Sequence, residues 1–303
     1  MFRNTHLAGF MMMAAAMILV GSTVVVSKII GQGMPPFMAT ALRFAIASPV
    51  FALLLWFSGQ KIPVFSRREW GLLVIQAAAG SVAYTVLLIL GLTFTSGANA
   101  GVIVGTLPII MAVLAITAFG ERPTWQLVIS ITTAGFGVFL VTLDSGSSGN
   151  AYTSTRDLMG VGLILLAVVG EALFLLLNKK ITTPIPPLVL STLMSTFGFL
   201  LAIGAAGVEY ATGGVKQVSQ GALIAVLYYA LIPTVVGFLL WYEGSARSTP
   251  GNAALATAFL PVAALVMVSV FLHETITGQQ TAGCVLVVIG ILLGVRRQNP
   301  DGQ

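Results

Sequence analysis

The sequence predicts an all-α integral membrane protein with ten transmembrane helices, arranged as two inverted repeats of five helices. Of the 303 residues, 57% are hydrophobic and only 8% are charged, whereas about 25% of the residues in an ordinary soluble domain are charged. The apolar residues recur in long blocks along the whole chain, and two segments that lie 153 residues apart repeat one another. This composition excludes a soluble enzyme, a secreted domain and a nucleic-acid-binding protein.

Charged residues, Pro/Gly clusters and polar loops separate ten apolar blocks. A helix needs about 20 apolar residues to cross a bilayer. The blocks are far longer than the roughly 10 residues of a strand in a membrane barrel and show no alternation, so helices are predicted. The predicted spans are residues 7–30, 36–57, 70–92, 98–119, 126–143, 158–178, 187–207, 221–242, 251–271 and 278–295.

The basic residues indicate how these helices are oriented. With ten spans both termini lie on one side of the membrane, and ten of the fourteen Lys and Arg residues then fall in segments on that side. Three fall on the other side (Lys28, Arg156 and Lys216), and Arg43 lies within the second span. Because Lys and Arg collect in cytoplasmic loops, we predict that both termini are cytoplasmic.

The internal repeat divides the chain into two halves. Residues 97–108 (GANAGVIVGTLP) and 250–261 (PGNAALATAFLP) share Asn at the third position and Pro at the twelfth, and Glu121 and Glu274 each follow thirteen residues later. We predict a first repeat in residues 1–146, a polar connecting loop in 147–157, a second repeat in 158–297 and a short cytoplasmic tail in 298–303. Since five is odd, the second half enters the membrane from the opposite side. Inverted repeats are typical of secondary transporters, although duplication also builds channels and membrane enzymes.

Several segments carry a family resemblance. Residues 39–47 (ATALRFAIA), the segment Gly91…Pro108…Glu121 and its copy Gly244…Pro261…Glu274 resemble the EamA-type branch of the drug/metabolite transporter superfamily, and most of all its bacterial amino-acid exporters. The resemblance implies a basket of ten helices around a central cavity, lined by spans 1, 3, 4, 6, 8 and 9, and the export of small metabolites. The chain departs from the family pattern at Val20, Met194 and His273, where such proteins often have Trp, Arg and Gly.

Two charged residues lie well inside the predicted spans, where a charge costs about 2.5–3.5 kcal/mol on insertion scales. Glu171 is interpreted as a proton-coupling group or the partner of a substrate ammonium, the alternative being a protonated residue in helix packing. Arg43 is interpreted as the partner of a substrate carboxylate. Because it belongs to the family's common Arg-Phe signature, a structural bond to loop carbonyls is the alternative for Arg43.

Uncharged polar and aromatic residues complete the predicted substrate site. In the third span Gln76, Gly80 and Tyr84 share one helix face at a spacing of four, and their repeat counterparts are Tyr229, Pro233 and Gly237. Trp241 extends that face by one turn, or belongs to an interfacial aromatic belt. The predicted substrate-binding residues are Glu171, Gln76, Tyr84, Asn99, Tyr229, Trp241, Asn252 and Arg43.

Asn99 and Asn252 stand at the predicted starts of the fourth and ninth spans. A helix N-terminus can face a substrate carboxylate, but Asn near a helix start is also a common cap. Three prolines within spans each remove a backbone donor, and they are read either as gating bends or as static kinks: Pro108, Pro233 and Pro261. Thr277 and Gln280 have the spacing of a capping box.

These observations predict a secondary active or facilitative transporter that exports small metabolites, amino acids foremost, across the bacterial cytoplasmic membrane by alternating access. The alternatives are a proton-coupled drug or multidrug exporter, a passive channel, and a membrane enzyme acting on a lipid-linked substrate. No ATP-binding loop or catalytic motif is found, and two histidines are too few for a metal cluster, so no cofactor or metal is predicted. The expected partners are a small-molecule substrate and the bilayer, without nucleic acid, for a monomer or weak homodimer.

Overall fold

The computed structural model describes residues 2–119, 125–146, 151–178, 180–213, 218–248, 253 and 255–295. All regular elements in this part of the chain are helices, as the sequence predicts. The first half contains α1 (Phe2–Gly33), α2 (Pro36–Ser58), α3 (Arg67–Gln76), the π-helical segment Ala77–Ala83, α4 (Tyr84–Leu92), α5 (Gly97–Val104), α6 (Leu107–Phe119) and α7 (Trp125–Gly146). The second half contains α8 (Ala151–Asn178), α9 (Pro187–Gly213), α10 (Gln220–Tyr229), the π-helical segment Ala230–Val236, α11 (Gly237–Ala246), α12 (Phe259–Leu272) and α13 (Gly278–Val295).

Local sequence explains where several helices begin and end. Three serine side chains accept a hydrogen bond from the third backbone N–H of the helix that follows, namely Ser66, Ser96 and Ser219, as expected of N-caps. The predicted capping box is confirmed, since Gln280 N–H donates to Thr277 Oγ1 at 3.2 Å and Thr277 N–H donates to Gln280 Oε1 at 3.0 Å. Gly59 ends α2 with a φ of 64°, a left-handed conformation that glycine adopts without strain.

The helices in the described residues differ in how clearly they can span a membrane. Six are long and apolar enough on their own, and α5 with α6, bent by 44° at their junction, make a seventh. The other three predicted spans contain shorter apolar helices at Val128–Val141, Phe259–Leu272 and Gly278–Leu293. The prediction of a helical protein that crosses the membrane several times is therefore confirmed, and six or seven of the predicted spans are clear candidates.

The offset that aligns the two halves in sequence also aligns their helices. α3 and α10 begin and end 153 residues apart, and so do the π-helical segments Ala77–Ala83 and Ala230–Val236. π-helical turns are rare in proteins, so their occurrence at equivalent positions is strong evidence that the halves share one local structure.

Repeat-equivalent helices pack directly against each other and run in opposite directions. Near the start of α2, Met38 N–H donates to the Glu209 carboxylate near the end of α9, at 2.9 Å, and further along Phe44 packs on Gly198. In the other pair, the Ser130 hydroxyl of α7 donates to the carbonyl of Gly290 in α13, and further along Gly137 packs on Gly283. Residue numbers rise along one helix as they fall along the other, so α2 with α9, and α7 with α13, are antiparallel.

The first helix of each half packs mainly against the opposite half. α1 contacts α10, α11 and α12, while α8 contacts α3 to α6. The contact between α8 and α4 is close because Gly160 has no side chain, and a Cβ there would lie 2.8 Å from the carbonyl oxygen of Gly91. Because the first helix of each half packs against the other half, the two halves share one continuous interface.

The close approach at Gly160 yields a stability prediction. Gly160→Val places a branched side chain against a backbone carbonyl, and overpacking of this kind costs about 1–3 kcal/mol. We expect a lower midpoint of thermal unfolding in detergent, by about 2–4 °C per kcal/mol. The matched control is Gly162→Val on the same helix, since Gly162 is exposed and a Cβ there has no neighbour within 4 Å. Equal midpoints for the two variants would contradict the packing argument.

Candidate functional site

A cavity lies at the interface between the two halves. Its empty space is about 640 Å³, counted out to its mouth, and we call it the apolar compartment because most of its walls are hydrocarbon. It is lined from the six predicted spans that the family resemblance implies. The lining residues are Met17, Val20, Tyr84, Val104, Leu107, Val168, Glu171, Phe174, Leu175, Gly237, Phe238, Trp241, Tyr242, Thr257 and Leu260.

Equivalent positions of the two repeats both contribute to the lining of this cavity. Ten of its lining residues form five pairs at the repeat offsets of 151 or 153, namely Met17 with Val168, Val20 with Glu171, Tyr84 with Gly237, Val104 with Thr257, and Leu107 with Leu260. The cavity therefore lies where the two halves meet symmetrically. In four of the five pairs the two residues differ, the exception being Leu107 with Leu260, so the two halves give the cavity walls of different chemistry.

A second space of about 420 Å³ adjoins the first, and we call it the polar compartment. The two spaces share Tyr84, Glu171 and several apolar residues. The residues that line only the polar compartment are Thr23, Arg43, Gly80, Ser81, Tyr229 and Pro233. The buried hydroxyl of Ser81 has no hydrogen-bond partner among the described residues, so it is available to a bound molecule.

Glu171 lies on α8 at the junction of the two compartments. Within the described residues no hydrogen-bond donor contacts its carboxylate, and no ion pair includes it. A carboxylate among apolar walls is costly unless it is protonated or paired. The site can therefore bind a proton or an organic cation at Glu171.

Arg43 lies on α2 and is buried at the far side of the polar compartment. Its Nε donates to Thr234 Oγ1 at 2.7 Å and its Nη1 donates to Thr85 Oγ1 at 2.5 Å. The guanidinium carbon is 4.0 Å from the centroid of the Tyr229 ring and 4.5 Å from that of the Phe44 ring. Its Nη2 makes no hydrogen bond within the described chain, so this nitrogen can donate to an anionic group in the compartment.

The two π-helical segments provide the acceptors that hold Arg43. Thr234 lies inside one segment and donates to the carbonyl of Tyr229 at 2.8 Å, five residues earlier, as the wider π turn requires. Thr85 follows the other segment and donates to the carbonyl of Ser81 at 2.9 Å. Each hydroxyl thus satisfies a backbone carbonyl and still accepts from Arg43, which connects the two halves.

The structure brings most of the predicted site residues together. Tyr84, Tyr229 and Trp241 line one or both compartments with Arg43 and Glu171. Gln76 does not line either compartment, and it is fully buried with no partner among the described residues for its amide nitrogen or oxygen. Asn99 also lies elsewhere, where it accepts from Gln280 Nε2 at 2.8 Å and donates to Thr95 Oγ1 at 3.2 Å. Asn252 lies outside the described residues.

The three prolines occupy different settings. Pro233 lies within the second π-helical segment and lines the polar compartment. Pro108 is the second residue of α6, immediately after the 44° bend, where a missing N–H removes no helical hydrogen bond. Pro261, near the start of α12, packs against Gly105 at that bend.

Sequence reasoning did not identify three aromatic residues of the apolar compartment, Phe174, Phe238 and Tyr242. The Tyr242 hydroxyl is buried without a partner in the described chain. Phe174 stands one turn after Glu171 and Tyr242 follows Trp241, so a search for aromatic neighbours of the selected residues could have found them. Within the described residues no group of three or more His, Cys, Asp or Glu side chains can hold a metal ion.

A polar cluster joins helix ends on one side of the cavity. The Glu274 carboxylate accepts from the backbone N–H groups of Gly97 and Ala98 at 3.1 and 3.2 Å. Lys28 lies 3.8 Å from the same carboxylate and donates to the carbonyl of Thr95 at 2.7 Å. Glu121, the repeat counterpart of Glu274, is outside the described residues.

Known proteins match the chain over nearly its full length. The sequence pattern of the EamA-like transporter family matches residues 7–143 and again residues 158–296. The uncharacterized transporter YetK of Bacillus subtilis (strain 168) is 32% identical over 98% of this chain and 89% of its own. A solved crystal structure that is 19% identical covers 97% of this chain and 100% of its own with a TM-score of 0.66, which is a likeness of fold.

Two relatives carry more specific names. The probable amino-acid metabolite efflux pump of Salmonella typhimurium (strain LT2) is 26% identical over 91% of this chain and 90% of its own. The probable terminal-alkyne amino-acid exporter of Streptantibioticus cattleyicolor is 25% identical over 84% of this chain and 82% of its own. With two consecutive family matches that cover most of the sequence, and with paired helices around an interface cavity, the chain belongs to the EamA-like transporter family, within the drug/metabolite transporter superfamily.

Proposed function

We propose that the protein exports small zwitterionic metabolites, amino acids foremost, across the bacterial cytoplasmic membrane by alternating access. The observation that carries this proposal is the cavity between the repeats, with one carboxylate at its centre and one guanidinium beside it. A zwitterion presents the complementary ammonium and carboxylate. The names of two relatives, both of which refer to amino-acid export, support the same substrate class.

The proposed architecture has ten spans in two inverted halves, residues 1–146 and 158–297, with the loop 147–157 between them and both termini in the cytoplasm. The antiparallel packing of α2 with α9, and of α7 with α13, supports the inversion, because equivalent helices of inverted halves must run in opposite directions. The excess of basic residues on one side supports the orientation.

In the proposed site the two charges have separate roles. Glu171 binds the substrate ammonium or a coupling proton, and Nη2 of Arg43 donates to the substrate carboxylate. Tyr84, Tyr229 and Trp241 form the walls. The helices change angle at Pro108, Pro233 and Pro261 as the cavity opens to one side or the other. Gln76 and Asn99 are left out of the site because neither lines it.

The second candidate function is proton-coupled export of lipophilic organic cations. The aromatic walls of the apolar compartment favour it, because aromatic faces attract organic cations and Glu171 supplies a single negative charge. The two candidates differ in what they require of Arg43, since a lipophilic cation has no carboxylate.

Flux measurements in proteoliposomes test the proposal. We expect saturable efflux of radiolabelled amino acids that is stimulated by unlabelled amino acid on the opposite side, because a carrier returns faster when it is loaded. Flux is measured with and without a pH gradient, which shows whether protons drive it. Flux that rises linearly with concentration indicates a channel. Export of tetraphenylphosphonium with no amino-acid flux would favour the second candidate.

Glu171→Gln tests the role of the carboxylate. The amide keeps the size of the side chain but loses its charge and its titration, so we expect substrate flux driven by the pH gradient to fall at least tenfold. A hydrogen bond to a charged group is worth about 1.5–3 kcal/mol, and about 1.4 kcal/mol corresponds to tenfold. Glu243→Gln is the control, since Glu243 is partly exposed, pairs with Arg247 and lines neither compartment. Unchanged gradient-driven flux in Glu171→Gln would remove this residue from the mechanism.

Arg43→Met tests carboxylate recognition, with methionine chosen because Met194 occupies the equivalent position of the second half. For a zwitterionic substrate we expect the KM to rise about tenfold or more, from the loss of a charged hydrogen bond. For an amine without the carboxylate, such as tyramine, we expect Arg43→Met to change the KM far less than it does for the corresponding amino acid, tyrosine. An equal loss for both compounds, in a variant that elutes as a single species in detergent, would show that Arg43 acts only in the structure.

A further inference from the structure

We propose that Gly237 determines the size of substrate side chain that the cavity accepts, and that this substrate is an amino acid with a large apolar or aromatic side chain. The inference rests on the proposed amino-acid transport and specifies its substrate class. The observation behind it is the contrast between the burial of Gly237 and the empty space in front of it.

Gly237 begins α11 and is buried, yet nothing packs on it closely. A Cβ placed there would meet only the carbonyl oxygen of Ile232, at 3.7 Å. Glycine is a poor helix former, so a glycine in this helix needs another explanation. It lines the apolar compartment, and the missing side chain is part of that compartment's volume.

Other buried glycines nearby are small for a different reason. A Cβ on Gly80 would lie 2.4 Å from Cβ of Phe174, and a Cβ on Gly170 would lie 2.7 Å from the carbonyl oxygen of Ala79. A neighbour already fills the place of those side chains. Helix packing therefore explains Gly80 and Gly170, but it does not explain Gly237.

The repeat shows what Gly237 changes. Its equivalent in the first half is Tyr84, which is buried and lines the same compartment. One half thus fills this position with a ring, while the other leaves it empty. If position 237 had a ring as position 84 does, the compartment would be smaller on the side of α11.

The walls around this space indicate what fills it. Phe238 and Tyr242 lie on the same helix and stack edge to face, with ring centroids 6.0 Å apart, and Phe174 lies 6.5 Å from Phe238. Trp241 lines the same space one turn after Gly237. Aromatic rings bury large apolar groups well and pack with other rings in offset or edge-to-face geometry. With the ammonium at Glu171 and the carboxylate toward Arg43, the substrate side chain extends into the apolar compartment.

The test compares a series of amino acids of increasing size in proteoliposomes. For the wild type we expect leucine, methionine, phenylalanine and tryptophan to compete better than alanine and serine against a labelled substrate. In Gly237→Leu we expect the inhibition constants of phenylalanine and tryptophan to rise at least about tenfold, because a single methylene group in a hydrophobic pocket already discriminates by about 10–200-fold. The inhibition constants of alanine and serine stay the same or fall. Gly237→Ala gives a smaller change in the same direction and serves if the leucine variant does not fold.

The control is Gly162→Leu, which adds the same side chain at an exposed glycine that has no neighbour within 4 Å of its Cβ position. If the wild type transports amino acids but Gly237→Leu and Gly237→Ala lower all of them equally, or leave the size profile unchanged, Gly237 does not set size. If the wild type transports no amino acid at all, it is the proposed function that fails.

Discussion

Burial of Arg43 is the constraint on which the rest of the central site depends. A guanidinium stays protonated in a protein, so the fold must stabilise the charge itself. It does so with hydroxyls from both halves, Thr85 and Thr234, and with the faces of Phe44 and Tyr229. Desolvated cation–π contacts are worth about 2 kcal/mol or more. Since both hydroxyls belong to turns at or beside the π-helical segments, the same contacts join those segments where they line the polar compartment.

The duplicated scaffold gives this cavity matched walls, and its chemistry comes from the differences between matched residues. Val20 is the equivalent of Glu171, Tyr84 is the equivalent of Gly237, and the position of Arg43 is taken by the buried Met194 in the other half. The carboxylate therefore comes from one repeat and the guanidinium from the other. A zwitterion that contacts both would bridge the halves, so its binding free energy would depend on their relative arrangement, as a carrier requires.

The fold class, the repeat and the two interior charges could be predicted because each leaves a signal in the sequence: long apolar blocks, a fixed offset and ionisable residues where few are tolerated. Gln76 shows where such reasoning fails. A spacing of four places Gln76, Gly80 and Tyr84 near one face, but Gln76 lies eight residues before Tyr84, which is about 12 Å along the helix at 1.5 Å per residue. Gly80 and Tyr84 line the polar compartment and Gln76 does not, since a shared face does not show how far along the helix the cavity extends. Phe174 and Phe238 were missed because an aromatic residue in an apolar span looks the same whether it faces lipid or a cavity.

The polar cluster around Glu274 is weak enough to open during the transport cycle that we propose. Its ion pair with Lys28 is 3.8 Å long and partly exposed, and exposed pairs contribute about 0–1 kcal/mol. The two backbone N–H groups of Gly97 and Ala98 donate to a charged carboxylate, and such hydrogen bonds are worth about 1.5–3 kcal/mol each. The sum is about 3–7 kcal/mol, which is comparable to the ~5.5 kcal/mol of differential binding that shifts two states from 1:99 to 99:1. Val104 lies about 10 Å along α5 from Gly97 at 1.5 Å per residue, so the helix end held by this cluster and the cavity wall belong to the same rigid segment. Substrate contacts that favour a different position of α5 would therefore compete with the contacts of Glu274. The free energy of substrate binding is large enough to break those contacts.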